Sequence, residues 1–211
     1  MGANLRSETV LDFWFGPILP DAQVSGRRPT GGLADTFSKE KAARWWRKDP
    51  AFDELIRRDF SSDMERAARG ELDSWKDTAR GRLALIILLD QFSRNAYRDT
   101  PAAFANDARA LSIAQEGIEL GHDRALRGAE RAFSYMPLVH AEDAAAQERG
   151  VEAFARAKEE LGESFGVYLE FAKRHRDIVL RFGRFPHRNA ILGRESTPEE
   201  IEFLKQPGSS F

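Results

Sequence analysis

Seven consecutive apolar residues, 83–89 (LALIILL), are the feature that most constrains how this chain of 211 residues can fold. At about 3.6 residues per turn, the run covers nearly two turns of helix and points apolar side chains in every direction. A helix that is apolar all round must be surrounded by other elements, because its whole surface avoids water. We therefore predict that residues 78–96 form the central helix of a packed domain.

Capping residues and prolines divide the rest of the chain into further predicted helices. Asp49-Pro50 is a strong helix start, because aspartate caps the first turn and proline is tolerated at the first helical position. We also predict that Ser7 starts a short first helix and that Ser196 caps the last one, in a capping box with Glu199. The other predicted helices cover residues 38–47, 101–121, 130–136 with an end at Pro137, 140–161 and 164–182.

The fold class follows from the period of the apolar residues. No stretch alternates at period two for more than a few residues, so the sequence predicts an all-α protein of roughly eight to ten helices. Short connections between them are typical of a stack of antiparallel helix pairs. We expect one helical domain over residues 1–211, with a long loop at 16–38 and a loose tail at 206–211.

Composition excludes several function classes. The chain has no cysteine, which removes disulfides, thiolate metal sites and a cysteine nucleophile. Its formal net charge is −2, so no overall field attracts nucleic acid or an anionic membrane. No glycine-rich phosphate loop, nucleophile elbow or metal-binding motif occurs. We expect a cytoplasmic protein without cofactor, metal, nucleic-acid or membrane partner, and its oligomeric state stays open.

A dense polar cluster follows the apolar run within the same predicted helix. Asp90 and Arg94 lie four residues apart, so their side chains can pair on one face. Gln91, Asn95 and Arg98 form a second stripe that offers amides and a guanidinium. Buried charges and amides are costly unless they are paired. The cluster is therefore either a structural network between helices or a ligand site, and both interpretations stay open.

A basic loop near the C-terminus is a second candidate site. Arg184, His187, Arg188 and Asn189 lie in a stretch punctuated by glycine and proline, where solvated functional side chains are common. Guanidinium groups suit bidentate binding of carboxylate or phosphate. The helical arginines before this loop have a simpler explanation, because the acidic helix at 141–163 can pack antiparallel to them and neutralise them. The loop side chains are less well explained in that way.

A third candidate region surrounds the proline of the motif YMPLVHAE, at 135–142. Tyr135, His140 and Glu142 are polar groups beside this predicted break, where a titratable side chain can be exposed. His140 and Glu142 are two residues apart, however, and neighbours at that spacing do not face each other on a helix. They are therefore no ready acid–base pair.

These motifs closely resemble the bacterial domain-of-unknown-function family 924. The resemblance covers nearly the whole chain, from residue 10 to residue 204. It implies an all-α fold similar to tetratricopeptide-repeat proteins, and it implies no established activity, so no catalytic residue can be carried over. Ser93 stands where we expect proline, and Val139 and Ala141 stand where such proteins look more polar. The segments that carry the resemblance are 90–95 (DQFSRN), 135–142, 181–189 (RFGRFPHRN) and 192–200 (LGRESTPEE).

Three functional hypotheses remain. The first is a binding scaffold, whose Arg/His/Asn-rich surface holds a peptide or an acidic partner protein. The second is a small-molecule enzyme or sensor, in which Asp90, His140 or His187 titrates in a pocket and arginines hold an anionic ligand. In the third, both clusters only lock helices together. The sequence favours the scaffold, and whether the protein is an enzyme stays open.

Overall fold

The computed structural model describes residues 2–16 and 43–210, and every regular element in these ranges is helical. This confirms the predicted all-α class, and the described part contains eight helices. They are α1 (Gly2–Phe15), α2 (Pro50–Ala68), α3 (Ala79–Ile86, Ile87–Phe92 and Ser93–Ala96 in succession), α4 (Asp107–Glu119), α5 (Gly128–His140), α6 (Ala144–Leu161), α7 (Gly166–Phe182) and α8 (Pro198–Leu204). Short 3₁₀ turns lie between them at Asp73–Asp77, Pro101–Phe104, His122–Ala125, Glu163–Phe165 and Pro186–Arg188.

Helix α3 is the central helix, as predicted. It packs against α1, α2, α4 and α5, and each of its apolar residues 83–89 is at most 1% exposed. The Thr78 hydroxyl caps it by accepting a hydrogen bond from the Gly81 backbone nitrogen at 3.1 Å. The apolar run is therefore surrounded by other helices, because no face of it suits contact with water.

A π-helical turn, Ile87–Phe92, interrupts α3 between its two α-helical parts. Such turns are rare and are frequently found at functional sites. The Phe92 ring at the end of the turn packs 4.9 Å from the Phe60 ring of α2, centroid to centroid. Asp90 lies in the same turn and contacts α5 through His140. Asp90 follows the buried apolar run directly, as the sequence indicated, whereas helical spacing did not predict its contact with His140.

The predicted helix starts are partly right. The Asp49 carboxylate accepts a hydrogen bond from the Phe52 nitrogen at 3.2 Å, which confirms the start of α2. The start at Ser7 is wrong, because α1 begins at Gly2 and Ser7 is buried inside it. Residues 43–46 form turns instead of the end of a helix 38–47. Residues 38–42, and nearly all of the predicted loop 16–38, lie outside the described residues.

Two prolines act differently from the prediction. Helix α5 continues through Pro137 to His140, although proline removes one backbone hydrogen bond. Residues 129–139 of α5 are all buried, so packing on every side holds the helix across that loss. Because α5 includes His140, the predicted start of the next helix at residue 140 is wrong. Helix α6 begins at Ala144, and Asp143 is its N-cap residue. The predicted helix 101–121 is also divided, because Pro101 starts a separate 3₁₀ turn before α4.

Helices α5, α6 and α7 follow one another through short connections, and each of the three packs against the other two. Consecutive helices that pack across a short connection run antiparallel. Arg176 of α7 lies 3.7 Å from Glu148 of α6, which agrees with the predicted pairing of a basic with an acidic helix. The closer likeness to tetratricopeptide repeats stays a prediction.

The last helix is capped one residue later than predicted. Thr197, and not Ser196, accepts a hydrogen bond from the Glu200 nitrogen at 3.2 Å, and the Glu200 carboxylate accepts one from the Thr197 nitrogen at 2.8 Å. Pro198 occupies the first helical position, so the capping residue is the one directly before it. Ser196 instead accepts a hydrogen bond from the Asn189 amide at 3.0 Å.

This difference predicts an asymmetry between two neighbouring hydroxyl groups. We expect Thr197→Ala to lower the free energy of unfolding by about 1 kcal/mol, because it removes the cap of α8. Ser196→Ala is the matched control, and we expect a smaller loss, because Asn189 keeps its second acceptor, Glu200, at 3.2 Å. Urea unfolding of the two variants measures the difference. A larger loss in Ser196→Ala would show that the cap is assigned to the wrong residue.

Candidate functional site

A fully buried carboxylate, Asp90, is the centre of the candidate site. His140 Nδ1 lies 2.8 and 3.0 Å from its two oxygens, Arg94 Nη1 lies 2.9 Å from Oδ1, and Gln91 Nε2 donates to Oδ2 at 2.6 Å. Burial alone would raise the pKa of Asp90. Arg94, His140 and Gln91 outweigh it and hold the pKa well below its usual range. Asp90 is therefore charged at neutral pH, and the predicted Asp90–Arg94 pair is confirmed.

His140, the last residue of α5, is the second part of the site. Burial lowers the pKa of His140, and the charges of Arg94 and Arg188 lower it further, although Asp90 opposes them. The ring is therefore neutral at pH 7. Because a charged carboxylate only accepts hydrogen bonds, Nδ1 must carry the proton and Nε2 the lone pair. The side chain is 15% exposed, and within the described ranges Nε2 has no hydrogen-bond partner.

A second carboxylate, Asp107 at the start of α4, extends the charged network. Its two oxygens accept hydrogen bonds from both terminal nitrogens of Arg94, at 2.9 and 3.0 Å. Arg94 therefore lies between Asp90 and Asp107. Arg188 Nη1 approaches Asp107 less closely, at 3.4 Å. No sequence motif pointed to Asp107, because it belongs to a different helix from Asp90 and lies outside the motifs.

Arg188 is buried beside these groups, in the turn Pro186–Arg188. Its guanidinium carbon lies 4.7 Å from the centre of the Phe104 ring and 4.5 Å from that of Phe185, within cation–π range. Nη2 donates to the His140 carbonyl oxygen at 3.0 Å, whereas Nε has no acceptor among the described residues. Burial first, and then the charge of Arg94, lower the pKa of Arg188 to about 10. This cation is therefore only partly compensated by its neighbours.

Two further histidines lie close to His140. The His175 ring of α7 is 6.4 Å from the His140 ring, and the Phe185 ring is 5.6 Å from both His175 and His187. Burial lowers the pKa of His175 to about 3 and that of His187 to about 4. All three rings are thus neutral at pH 7. His175 was not among the predicted site residues, because nothing in its helical sequence context pointed to the site.

The second predicted stripe of α3 exists but faces another helix. Asn95 Nδ2 donates to the Gln91 carbonyl oxygen at 2.8 Å, and Asn95 Oδ1 accepts from Arg98 Nη2 at 3.0 Å. Arg98 also binds both carboxylate oxygens of Asp53 in α2, at 2.9 and 3.0 Å. Of these groups, only the Gln91 side chain reaches Asp90. The stripe connects α3 to α2 and lies beside the site instead of lining it.

Tyr135 belongs to a separate buried network. Its hydroxyl donates to Asp123 Oδ2 at 2.6 Å and accepts from Arg131 Nε at 2.7 Å. Burial raises the pKa of Tyr135 to about 12, so it stays protonated. The structure thus separates Tyr135 from His140, although one motif carries both.

The C-terminal loop is packed against the helices, and the expectation of a solvated loop is wrong for two of its residues. Arg188 and Asn189 are buried, because the apolar Phe185 and Pro186 in the same stretch are buried with them. Glu142 holds the loop by accepting hydrogen bonds from the Phe185 nitrogen at 2.8 Å and from Arg194 at 2.6 and 2.9 Å.

Glu200 of α8 closes the other side of this loop. Its carboxylate binds Arg184 at 2.7 and 2.8 Å and accepts from the Asn189 amide at 3.2 Å. Arg184 above all lowers the pKa of Glu200 to about 2. Arg184 and Asn189 therefore hold α8, whereas Arg188 contacts His140 and the His187 ring lies beside Phe185.

A groove of about 410 Å³ adjoins the charged network. Its walls combine apolar side chains, among them Pro101, Phe104, Leu111 and Leu192. The charged groups in its lining are Asp107, Glu142, Asp143 and Arg188. The groove has the volume of an ordinary small-molecule site, which is about 300–1,000 Å³. The described ranges contain no group of three or more histidines, aspartates or glutamates placed to hold a metal ion.

Fold and site together define an all-α protein with a charged, histidine-containing site at the end of its central helix. The chain belongs to the family described as bacterial protein of unknown function (DUF924), whose model matches residues 10–208. This confirms the resemblance found in the sequence. The chain is also 40% identical to a solved protein of unknown function from Agrobacterium tumefaciens, ATU0120. The match covers 96% of this chain and 98% of that one, with a TM-score of 0.77.

A comparison with curated proteins finds no match. None of the helices in the described ranges is long and apolar enough to cross a membrane.

Proposed function

We propose that this protein is an enzyme that uses the Asp90–His140 pair as a general base on a small anionic substrate. The observation that carries the proposal is a histidine whose Nδ1 contacts both oxygens of a buried carboxylate and whose Nε2 has no partner among the described residues. Burial lowers the pKa of this histidine, which favours its neutral form. Perturbed histidines and carboxylates of this kind cluster at functional sites.

The chemistry follows from the tautomer. Asp90 holds the proton on Nδ1 and fixes the ring orientation, so the Nε2 lone pair is available to remove a proton from a water molecule. As the proton moves to Nε2, the ring becomes a cation, and the negative charge of Asp90 stabilises it. Arg94 prevents Asp90 from being protonated instead, because the guanidinium lies 2.9 Å from the same carboxylate. Arg188, whose hydrogen bonds are incomplete, makes an anionic substrate more favourable than a neutral one.

Burial is what favours the enzyme over the binding scaffold. A scaffold needs side chains that are accessible to a peptide, but Gln91, Asn95 and Arg188 are buried and bind other groups of this chain. A small-molecule site needs only limited access to one reactive atom. The 15% exposure of the His140 side chain meets that need.

Hydrolysis of the mono-p-nitrophenyl ester of glutaric acid tests this proposal, because the compound has one carboxylate and one activated ester. We expect release of p-nitrophenol above the rate in buffer. His140→Gln should lower that rate by about 10²–10⁴-fold, the usual contribution of a general base. The control is His122→Gln, a histidine that binds Arg82 outside the site, and it should keep the parent rate. Equal rates in the parent and in His140→Gln would contradict the proposal.

A further inference from the structure

We propose that the groove beside Arg188 binds a small molecule with an apolar body and a single carboxylate. This goes beyond the general-base function, because His140 is not among the described residues that line the groove and occupancy of the groove does not depend on catalysis. The groove lies between the turn Pro101–Phe104, the start of α4, residues 141–143 and the C-terminal loop.

The apolar part of the ligand follows from the walls. Phe104, Leu111 and Leu192 line the groove from three different segments, and Ala105 and Ala108 leave room between them. Pockets of this size that bind small molecules are lined mostly by apolar groups, with a few polar groups that fix orientation.

The incomplete hydrogen bonding of Arg188 indicates that the ligand carries a carboxylate. Its Nε has no acceptor among the described residues, and its Nη1 lies 3.4 Å from Asp107, near the limit of a hydrogen bond. The bidentate partner of Asp107 is Arg94. A ligand carboxylate in the groove would give this incompletely bonded guanidinium a further acceptor, in a charge-assisted hydrogen bond.

The acidic residues that line the groove indicate that the ligand carries only one negative charge. Glu142 pairs with Arg194, and Asp107 shares Arg94 with Asp90, so Arg188 is the cation in the described groove lining whose hydrogen bonds are incomplete. Asp143 lies exposed at the rim, where its carboxylate caps α6. A group with two negative charges would meet these carboxylates with only one guanidinium to compensate it. A ligand with one carboxylate therefore matches the charges of the groove better than a ligand with two negative charges.

Calorimetric titration with 4-phenylbutyrate tests the inference, and the uncharged 4-phenylbutyramide is the matched probe. We expect the acid to bind the parent protein at least about tenfold more tightly than the amide. Ala108 is an exposed residue that lines the groove, so a tryptophan there would occupy part of the groove volume. Ala108→Trp should therefore weaken binding of the acid by about tenfold or more. Ala102→Trp is the control, since Ala102 is also exposed but lies outside the lining, and it should bind as the parent does.

Three results would overturn the inference: no binding of the acid at millimolar concentration, equal binding of acid and amide, or unchanged binding in Ala108→Trp. The general-base proposal is judged separately. His140→Gln should bind 4-phenylbutyrate as the parent does while it loses ester hydrolysis, so each proposal can fail without the other.

Discussion

Replacing Asp90 with alanine is expected to lower the free energy of unfolding by about 3–5 kcal/mol. Asp90 is fully buried, forms an ion pair with Arg94 and accepts hydrogen bonds from Gln91 and His140. Its removal leaves the Arg94 guanidinium in the interior with one of its two carboxylates missing, and a buried charge that loses its partner is strongly destabilising. Chemical denaturation of Asp90→Ala, with its midpoint and slope compared with those of the parent, measures the loss.

The control for this variant is Glu54→Ala. Glu54 also pairs with an arginine, Arg57, at 2.7 Å, but both side chains are exposed. Exposed ion pairs contribute little, so we expect a change within about 0.5 kcal/mol. Asp90→Ala and Glu54→Ala with equal effects would show that the charged network is not the buried structure described above.

The second large effect is a loss of stability in mild acid. The pKa of His175 is lowered to about 3 and that of His187 to about 4, from an ordinary 6.5, mainly because both rings are buried. Below pH 6.5 the unfolded chain therefore binds protons that the folded chain does not, and stability falls as the pH falls. Each histidine contributes about 1.4 kcal/mol per pH unit, so the two together remove about 4–5 kcal/mol between pH 6.5 and 4.5.

Unfolding in urea at a series of pH values checks this expectation. His175→Phe keeps a ring of similar size and removes one titrating group, so the loss between pH 6.5 and 4.5 should be smaller by about 2–3 kcal/mol. Glu200 does not affect this comparison. Its pKa is lowered to about 2, so its contribution to the free energy of unfolding is lost only as the pH falls below about 4.5. A stability that is flat over this range, or the same slope in both proteins, would be inconsistent with neutral buried histidines.

Much of the fold could be predicted because local signals determine it. The apolar run 83–89 and the Asp49-Pro50 start are properties of short segments, and both agree with the structure. The errors occurred where tertiary packing outweighs a local preference. Pro137 usually ends a helix, but α5 is buried on every side and continues past it. The π-helical turn also had no signal in the spacing of the residues.

The candidate site could be predicted only in part, for the same reason. Asp90 and Arg94 were paired correctly, since a spacing of four residues brings side chains together on one helix. The contact of Asp90 with His140 joins α3 to α5, and that of Arg94 with Asp107 joins α3 to α4. No sequence spacing encodes such contacts. The burial of Arg188 was missed because a loop rich in glycine and proline usually lies on the surface.

The central claim is that burial keeps His140 neutral, while the charged Asp90 holds the proton of the ring on Nδ1. Long-range ¹H–¹⁵N correlation spectra of the histidine side chains measure this directly, with His140→Gln used to assign the signals. We predict that His140 is neutral at pH 7, with Nδ1 protonated and Nε2 unprotonated, and that its pKa lies below 6.5. A His140 that is cationic at pH 7, or neutral with its proton on Nε2, would contradict the account, because Nε2 would then have no lone pair for a base.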